Sequence, residues 1–375
     1  MNFGFDGKRA ANNQTGLGNY SRALISQLSA FFHQNQYFVY TSKVKQSGQI
    51  AAFLDDKHIH LRFPEHRNLP FMWRSFTIRK QLEKDQISIY HGLSNEIPFG
   101  MQNGPVKTVV TIHDLIFFRF PANFKYIDRL IYNFKSKYAC KHADLIIAIS
   151  EKTKQDIIEF YQTDPERIKV IYQTCDDSFK KAVSQEHKNS VRLKYGLPQH
   201  YILNVGTIEP RKNLLLLVQA MKSIKEDYKL VVVGKKKAYA QEVMAEIQKS
   251  GLTDRVIFLK DIPFTDLPAI YQLATVFAYP SFYEGFGIPI IEALYGGIPV
   301  VAATGSCLEE AGGPDSLYID PKDAPELASA INSIISNPAL AQQMKERGLT
   351  YVQQFNTGNV AAQLMDTYIK LNAKA

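Results

Sequence analysis

Two successive doubly wound α/β units are predicted by this sequence, and three observations carry that reading. Short β-rich apolar runs alternate with helical stretches along the chain, the pattern of a parallel sheet covered on both faces. At 375 residues the chain is longer than one ordinary hydrophobic core absorbs. The alternation also stops at a polar stretch, DDSFKKAVSQEHKNSVRLKYG, and then restarts. Such a stretch reads as an inter-domain connection. It divides the chain into residues 1–180 and 181–356, with a closing helical segment over 357–375.

In the first unit, strands are predicted at Asn2–Asp6, Tyr37–Ser42, Ile59–Phe63, Ile87–His91, Lys107–Ile112, Asp144–Ile149 and Lys169–Tyr172. Between the first two, Leu17, Tyr20, Leu24, Leu28 and Phe31 recur at helical spacing. In the second unit the strands are Tyr201–Val205, Lys229–Val233, Val256–Leu259, Val276–Tyr279, Pro299–Ala302 and Leu317–Ile319. The final helix, from Thr357 to about Leu371, is free to pack back on the first unit. In open α/β sheets ligands sit at the carboxyl ends of strands, so the chemistry is to be sought there.

Composition narrows the class. An apolar content of 45% with 21% charged residues belongs to a globular protein. No apolar run approaches the roughly 18 residues that span a bilayer. The N-terminus, MNFGFDGKRAANN, is not a secretory signal, since Asp6, Lys8 and Arg9 interrupt it. Cys140, Cys175 and Cys307 make neither a disulfide framework nor a zinc site, so a reducing cytoplasm is expected. The net charge of +8 is uneven: residues 1–180 hold 24 Lys+Arg against 17 Asp+Glu, and the remainder 20 against 19. That excess points to an anionic partner of the N-terminal half.

Several strand ends carry polar groups. The first strand leads to Thr15-Gly16-Leu17-Gly18-Asn19-Tyr20 and a helix. Glycine admits close backbone approach and a helix N-terminus favours an anion, although a loop with a tight turn explains the same residues. Ser21 breaks the dinucleotide fingerprint, which disfavours a NAD site. His113 ends another strand and precedes Asp114; it is placed for substrate contact or is a satisfied structural histidine, with Asp114 capping the next turn. His91 has the same placement and a weaker case.

In the second unit, Arg211 and Lys212 precede an apolar helix starting at Leu214. A helix N-terminus disfavours cations, so an anionic ligand shared with the helix is the expectation, a phosphate fitting best. Lys235-Lys236-Lys237 reads as a solvated face. The run SFYEGFGIPIIEALYGG holds Glu284 and Glu292, separated by seven residues. Pro289 suits the first position of a helix. Glu284 then lies in the preceding loop and Glu292 at the end of the helix's first turn. The flanks are too apolar for a surface helix, so Glu292 needs a hydroxyl or N–H partner. Asp55-Asp56 and Asp176-Asp177 lack histidines at ligand spacing, and no metal site is predicted.

The glycine loop, TIHD, ADLIIAIS, GTIEPRKN and YPSFYEGFGIPIIEALYGGIPVV together resemble the retaining glycosyltransferases of family 4, the group-1 glycosyltransferases. The last of these stretches is similar to the family's E-x7-E motif, P-S-x-x-E-G-F-G-x-P-x-x-E-A. The resemblance implies the GT-B fold, two Rossmann-like doubly wound domains facing across a cleft. It implies that Glu284 faces the donor sugar, with backbone of Phe286, Gly287 and Ile288 near the sugar and diphosphate, and that Glu292 bonds the ribose. Lys212 and Arg211 would neutralise the diphosphate, His113 would sit beside the sugar, and Gly16 and Gly18 would close on the phosphate. The sequence departs from the family at Thr207, where an arginine is frequent, and at Glu309-Glu310, where Pro-Glu is usual.

What the resemblance implies is a hexosyltransferase that moves a sugar, mannose by family likeness, from a GDP- or UDP-linked donor to a saccharide or lipid-linked acceptor. Transfer would retain configuration, with no cofactor, metal or protein nucleophile. The setting would be bacterial surface polysaccharide, lipopolysaccharide or glycolipid assembly, in the cytoplasm or peripheral on the inner face of an anionic membrane. Nucleic acid is not among the expected partners. FRFPANFKYIDRLIYNFKSKYACKH mixes aromatic and cationic residues and suits either an anionic surface or an ordinary helix covering the sheet. Rival readings are a nucleotide-sugar epimerase or phosphorylase of the same fold and a two-lobed sugar-binding protein without catalysis.

Overall fold

The computed structural model describes residues 1–13, 16–45, 47–65, 72–102 and 104–373. Thr15 of the glycine loop lies outside them. The chain divides into two compact units, Met1–Gln173 joined by the segment from Thr357 onward, and Thr174–Asn356.

The first unit is a seven-stranded parallel sheet of β1 (Asn2–Asp6), β2 (Gln36–Tyr40), β3 (Ile59–Arg62), β4 (Ile89–Gly92), β5 (Lys107–Ile112), β6 (Leu145–Ala148) and β7 (Ile168–Val170), in the order β3-β2-β1-β4-β5-β6-β7. The second is a six-stranded parallel sheet of β8 (Tyr201–Val205), β9 (Lys229–Val233), β10 (Val256–Leu259), β11 (Val276–Tyr279), β12 (Val300–Ala303) and β13 (Leu317–Ile319), ordered β10-β9-β8-β11-β12-β13. Each predicted strand is present, because runs buried on both faces are legible as near-continuous apolar stretches. Both orders reverse direction once, at β1/β4 and at β8/β11. A crevice opens at such a switch point, beyond the carboxyl ends of the strands.

The boundary between the units differs from the predicted one. The chain enters the second unit at Thr174, not after Lys180. Phe179 is buried and sets its ring edge-on to Phe264 and Tyr271, at centroid distances of 5.6 and 5.5 Å. One large apolar side chain inside a polar stretch thus assigns that stretch to the second core.

The Thr357–Ala373 helix returns to the first unit. Leu364, Met365 and Tyr368 share a core cluster with Phe3, Ile25, Leu28 and Tyr37. Tyr368 also reaches the sheet by hydrogen bonding: its hydroxyl lies 2.5 Å from His91 Nδ1, while His91 Nε2 lies 2.8 Å from Thr111 Oγ1. His91 is therefore a satisfied core histidine, and burial holds its pKa down at about 3.

The Gly16–Phe31 helix begins beside the carboxyl end of β1 and buries Leu24, Ile25 and Leu28. Arg22 ties the preceding loop to it, donating to the carbonyls of Ala10 at 2.9 Å and Asn13 at 2.7 Å. That Asn13 carbonyl would stand 1.9 Å from a Cβ on Gly18, whereas a Cβ on Gly16 would meet nothing within 4 Å. The two glycines therefore differ in kind. Gly18→Ala should destabilise the protein by about 1–3 kcal/mol through overpacking, and Gly16→Ala should change stability by no more than about 0.5 kcal/mol. Denaturant unfolding of the two variants checks this; equal stability of the two would contradict it.

Candidate active site

The switch point of the second unit brings together two loops that are distant in sequence. After β8 the chain passes through Thr207, half-buried in the loop, to a short 3-10 turn over Pro210–Lys212. After β11 it runs from Pro280 to the Ile288–Tyr295 helix, which has proline in its first turn as predicted. Asn213, held at φ 56°, locks the loops to each other. Its side-chain amide donates to the carbonyls of Pro280 at 3.0 Å and Pro321 at 2.7 Å. The backbone N–H of Phe282 donates to the carbonyl of Arg211 at 2.9 Å.

Glu284 sits at the centre of this arrangement. Lys212 Nζ lies 2.6 Å from its Oε1 and Arg211 Nη1 lies 2.7 Å from its Oε2. Tyr279, the last residue of β11, accepts a hydrogen bond from Lys212 at 2.5 Å and donates to Glu284 at 3.3 Å. Arg211 also contacts Glu209 Oε1 at 2.8 Å, and Glu209 in turn holds Lys237 at 2.5 Å. The charges of Arg211 and Lys212, which precede the Leu214 helix, are met by Glu284 from another loop.

The loop carrying Glu284 is held from below. Cys307 donates its thiol to the carbonyls of Glu284 at 3.1 Å and Phe286 at 2.7 Å. Phe286 buries its ring edge-on to Phe355 at 5.5 Å, so its side chain faces the core. Gly287 is pressed to the neighbouring segment, since a Cβ there would stand 2.8 Å from Ala311 Cβ. Ile288 opens the helix, and the first backbone N–H groups of a helix favour an anion.

Glu292, on the first turns of that helix, has a different partner: the Tyr271 hydroxyl donates to its Oε2 at 2.7 Å. The two carboxylates of the motif therefore ionise differently. Burial would raise the pKa of Glu284, but Lys212 and Arg211 outweigh it and hold the pKa below the usual carboxylate range. Among the described residues no cation pairs with Glu292; burial drives its pKa up to about 8, Asp176 adds to the rise, and Tyr271 opposes it only in part.

In the first unit His113 is buried and both ring nitrogens are engaged. Nε2 lies 2.9 Å from the Leu93 carbonyl, which makes it the protonated nitrogen, and Nδ1 accepts from the Gln173 amide at 3.1 Å. Burial lowers its pKa to about 4. Tyr20 sets its ring edge-on to the imidazole at 4.6 Å. Asp114 caps the next turn, accepting from the Ile116 N–H at 3.2 Å.

Sequence reasoning did not single out Tyr279, Tyr271, Cys307 or Glu209. Tyr279 was detectable, since it ends a strand directly before the carboxylate run; Cys307 carried no local signal. It also missed a charged crevice at the first unit's switch point. There Arg74 binds Asp6 at 2.8 Å and Glu96 at 2.9 Å, and Lys135 binds Glu96 at 2.6 Å. Burial would raise the Glu96 pKa, yet Arg74, Lys8 and Lys135 hold it at about 2.

The raised Glu292 pKa has a sign that unfolding can test. Between the unfolded value near 4.5 and the folded value of about 8, the native state holds a proton that the unfolded chain releases. Stability therefore falls as pH rises through that window. Glu292→Gln should remove this fall, so the variant's stability relative to wild type should increase from pH 5 to pH 8 in urea unfolding. A pH-independent difference would contradict the assignment.

Two family models match the chain, glycosyl transferases group 1 over residues 186–350 and glycosyltransferase family 4 over residues 15–179. The O-antigen chain mannosyltransferase B of Escherichia coli is 29% identical over 94% of this chain and 96% of its own length. Among solved structures, sucrose-phosphate synthase from Thermosynechococcus elongatus superposes with a TM-score of 0.78 at 23% identity, covering 100% of both chains. HepE of Anabaena in complex with UDP-glucose gives a TM-score of 0.75 at 19% identity, covering 99% of this chain and 100% of its own. With both halves matched in order, two parallel-sheet α/β units and the motif assembled at a switch point, the chain belongs to the group-1 glycosyltransferases of family 4 and has the GT-B fold.

Proposed function

We propose that this glycosyltransferase moves a hexose from a nucleotide diphospho-sugar to an acceptor hydroxyl with retention at the anomeric carbon. Mannose is the proposed sugar and a bacterial surface polysaccharide the proposed product, supported by the identity to an O-antigen mannosyltransferase over almost the full length of both chains. The observation that carries the reading is the Glu284 carboxylate held between Lys212 and Arg211. The barrier to transfer is separation of the sugar from a pyrophosphate, so leaving-group charge has to be stabilised in a site closed to water. Lys212 and Arg211 supply positive charge beside Glu284, and the helix N-terminus at Ile288 adds backbone N–H groups. These groups take the role of a divalent cation, which makes the reaction metal-independent.

Glu284 faces the donor sugar, where its negative charge favours the developing positive charge at the anomeric carbon. Phe286, Gly287 and Ile288 contribute backbone contacts to the sugar and diphosphate, and Thr207 lines the phosphate loop. Glu292 accepts hydrogen bonds from the ribose hydroxyls, with Tyr271 holding its second oxygen. His113 has no free ring nitrogen, so it shapes the wall beside the sugar and transfers no proton. Gly16 and Gly18 are proposed as donor-phosphate contacts. The acceptor proton passes to a leaving phosphate oxygen on the same face.

Two experiments test this. Lys212→Ala should lower turnover on the order of 10²–10³-fold, by analogy with loss of one oxyanion donor, while EDTA should leave wild-type turnover unchanged. Near-normal turnover in the variant refutes the leaving-group role, and loss of activity in EDTA restored by a divalent ion refutes metal independence. In a thermal-shift panel GDP should raise the melting temperature more than UDP or ADP, since a ligand bound only by the folded state stabilises it. Glu292→Ala should weaken that response, and Glu284→Ala should reduce transfer more than binding. No response to any nucleotide would sink the whole reading.

A further inference from the structure

A lysine that meets a leaving phosphate has a geometric requirement beyond its charge. Its ammonium is a compact point charge on a flexible four-carbon stem, with three rotatable N–H donors. The charge attracts a diphosphate from many rotamers. Stabilising one developing oxyanion needs an N–H directed at one point. A single acceptor leaves the ammonium free to turn about that contact; two acceptors at fixed positions do not. Whatever holds Lys212 besides Glu284 therefore bears on turnover.

Tyr279 supplies the second position. It closes β11 and is buried. Its ring stacks on Phe277 at 5.7 Å with 21° between the planes, and Phe277 packs against Tyr271 at 5.4 Å. The hydroxyl oxygen at the end of this aromatic column accepts from Lys212 Nζ at 2.5 Å, while Nζ lies 2.6 Å from Glu284 Oε1. The hydroxyl proton goes to the same Glu284 oxygen at 3.3 Å, which closes a triangle of three groups. Burial, with Glu284 adding to it, pushes the phenol pKa up to about 12, so the hydroxyl stays protonated and donates while it accepts. The Lys212 stem runs past Gly206, where a Cβ would stand 3.7 Å from Cε. Among the described residues, Tyr279 and Glu284 are the acceptors of the ammonium. With two N–H groups committed to fixed points, the tetrahedral ammonium has one direction left for its third.

We infer that Tyr279 is a positioning residue of the transfer reaction: its hydroxyl, by accepting from Lys212, directs the remaining N–H of that lysine to the leaving diphosphate. The inference rests on the leaving-group role proposed for Lys212, and it assigns the aim of that lysine to a phenol outside the two-glutamate motif. Tyr279→Phe keeps the ring and removes only the oxygen. In the full chain, with turnover read as GDP release from GDP-mannose, kcat should fall about 10–30-fold, less than for a lost oxyanion donor. The donor KM should change by no more than about threefold, because the ammonium still attracts the diphosphate. In a Lys212→Ala background the same substitution should cost no more than about twofold, since the group it directs is gone. Lys212→Arg keeps the charge but replaces the ammonium by a planar fork, and should lower kcat about tenfold or more. Wild-type kcat in Tyr279→Phe, a loss confined to KM, a loss that adds in full to that of Lys212→Ala, or normal turnover in Lys212→Arg would each overturn the inference. So would collapse of the Tyr279→Phe fold in circular dichroism, which would make the hydroxyl a structural group. Near-normal turnover in Lys212→Ala would instead remove the leaving-group reading itself; a large loss there beside a wild-type Tyr279→Phe would remove only the role of the phenol.

Discussion

A charged carboxylate in a poorly hydrated crevice is the constraint on which the donor loops depend. Glu284 has a side-chain exposure of only 12%, and an ionised carboxylate there without partners would be strongly unfavourable. Lys212, Arg211 and Tyr279 meet it on both oxygens. Removing either cation leaves Glu284 dependent on the other, so the three groups behave as one unit and their energies do not add. Lys212 shows the reciprocal effect: burial lowers its pKa, yet Glu284 reverses the shift and keeps the ammonium charged.

That ion pair exists because of sheet topology. β8 and β11 are adjacent only because the strand order reverses there. The loop after each must leave the same end of a parallel sheet, so residues far apart in the chain arrive at one crevice. Asn213 then removes the remaining freedom, bonding from a left-handed backbone position to the carbonyls of Pro280 and Pro321. Cys307 does the same from below. The charged groups are thus positioned by neutral hydrogen bonds that hold before any ligand arrives, which is what preorganisation requires.

The two glutamates of the motif show how one helix start supports two ionisation states. Glu284 precedes the helix and has two cations; Glu292 lies within it and has a phenol. A carboxyl group whose pKa lies near 8 is neutral or charged according to what it meets, and ribose hydroxyls would supply hydrogen bonds that favour the charged form. The histidines make the opposite point. His91 and His113 both end strands, yet each spends its ring nitrogens on internal partners, so strand-end placement alone does not make a histidine a proton carrier.

The sequence by itself determined the two doubly wound units, their thirteen strands, the start of the Ile288–Tyr295 helix and the family. Those features depend on local patterns: apolar runs of strand length, proline at a helix start, and a motif whose residues are contiguous in the chain. Only the tertiary structure decided which charges meet. That Lys212 and Arg211 pair with Glu284, that Tyr271 holds Glu292, that Gln173 closes on His113, and that Phe179 draws a polar stretch into the second core are all long-range contacts. No local spacing encodes them, because they follow from strand order and from which loops leave the same end of a sheet.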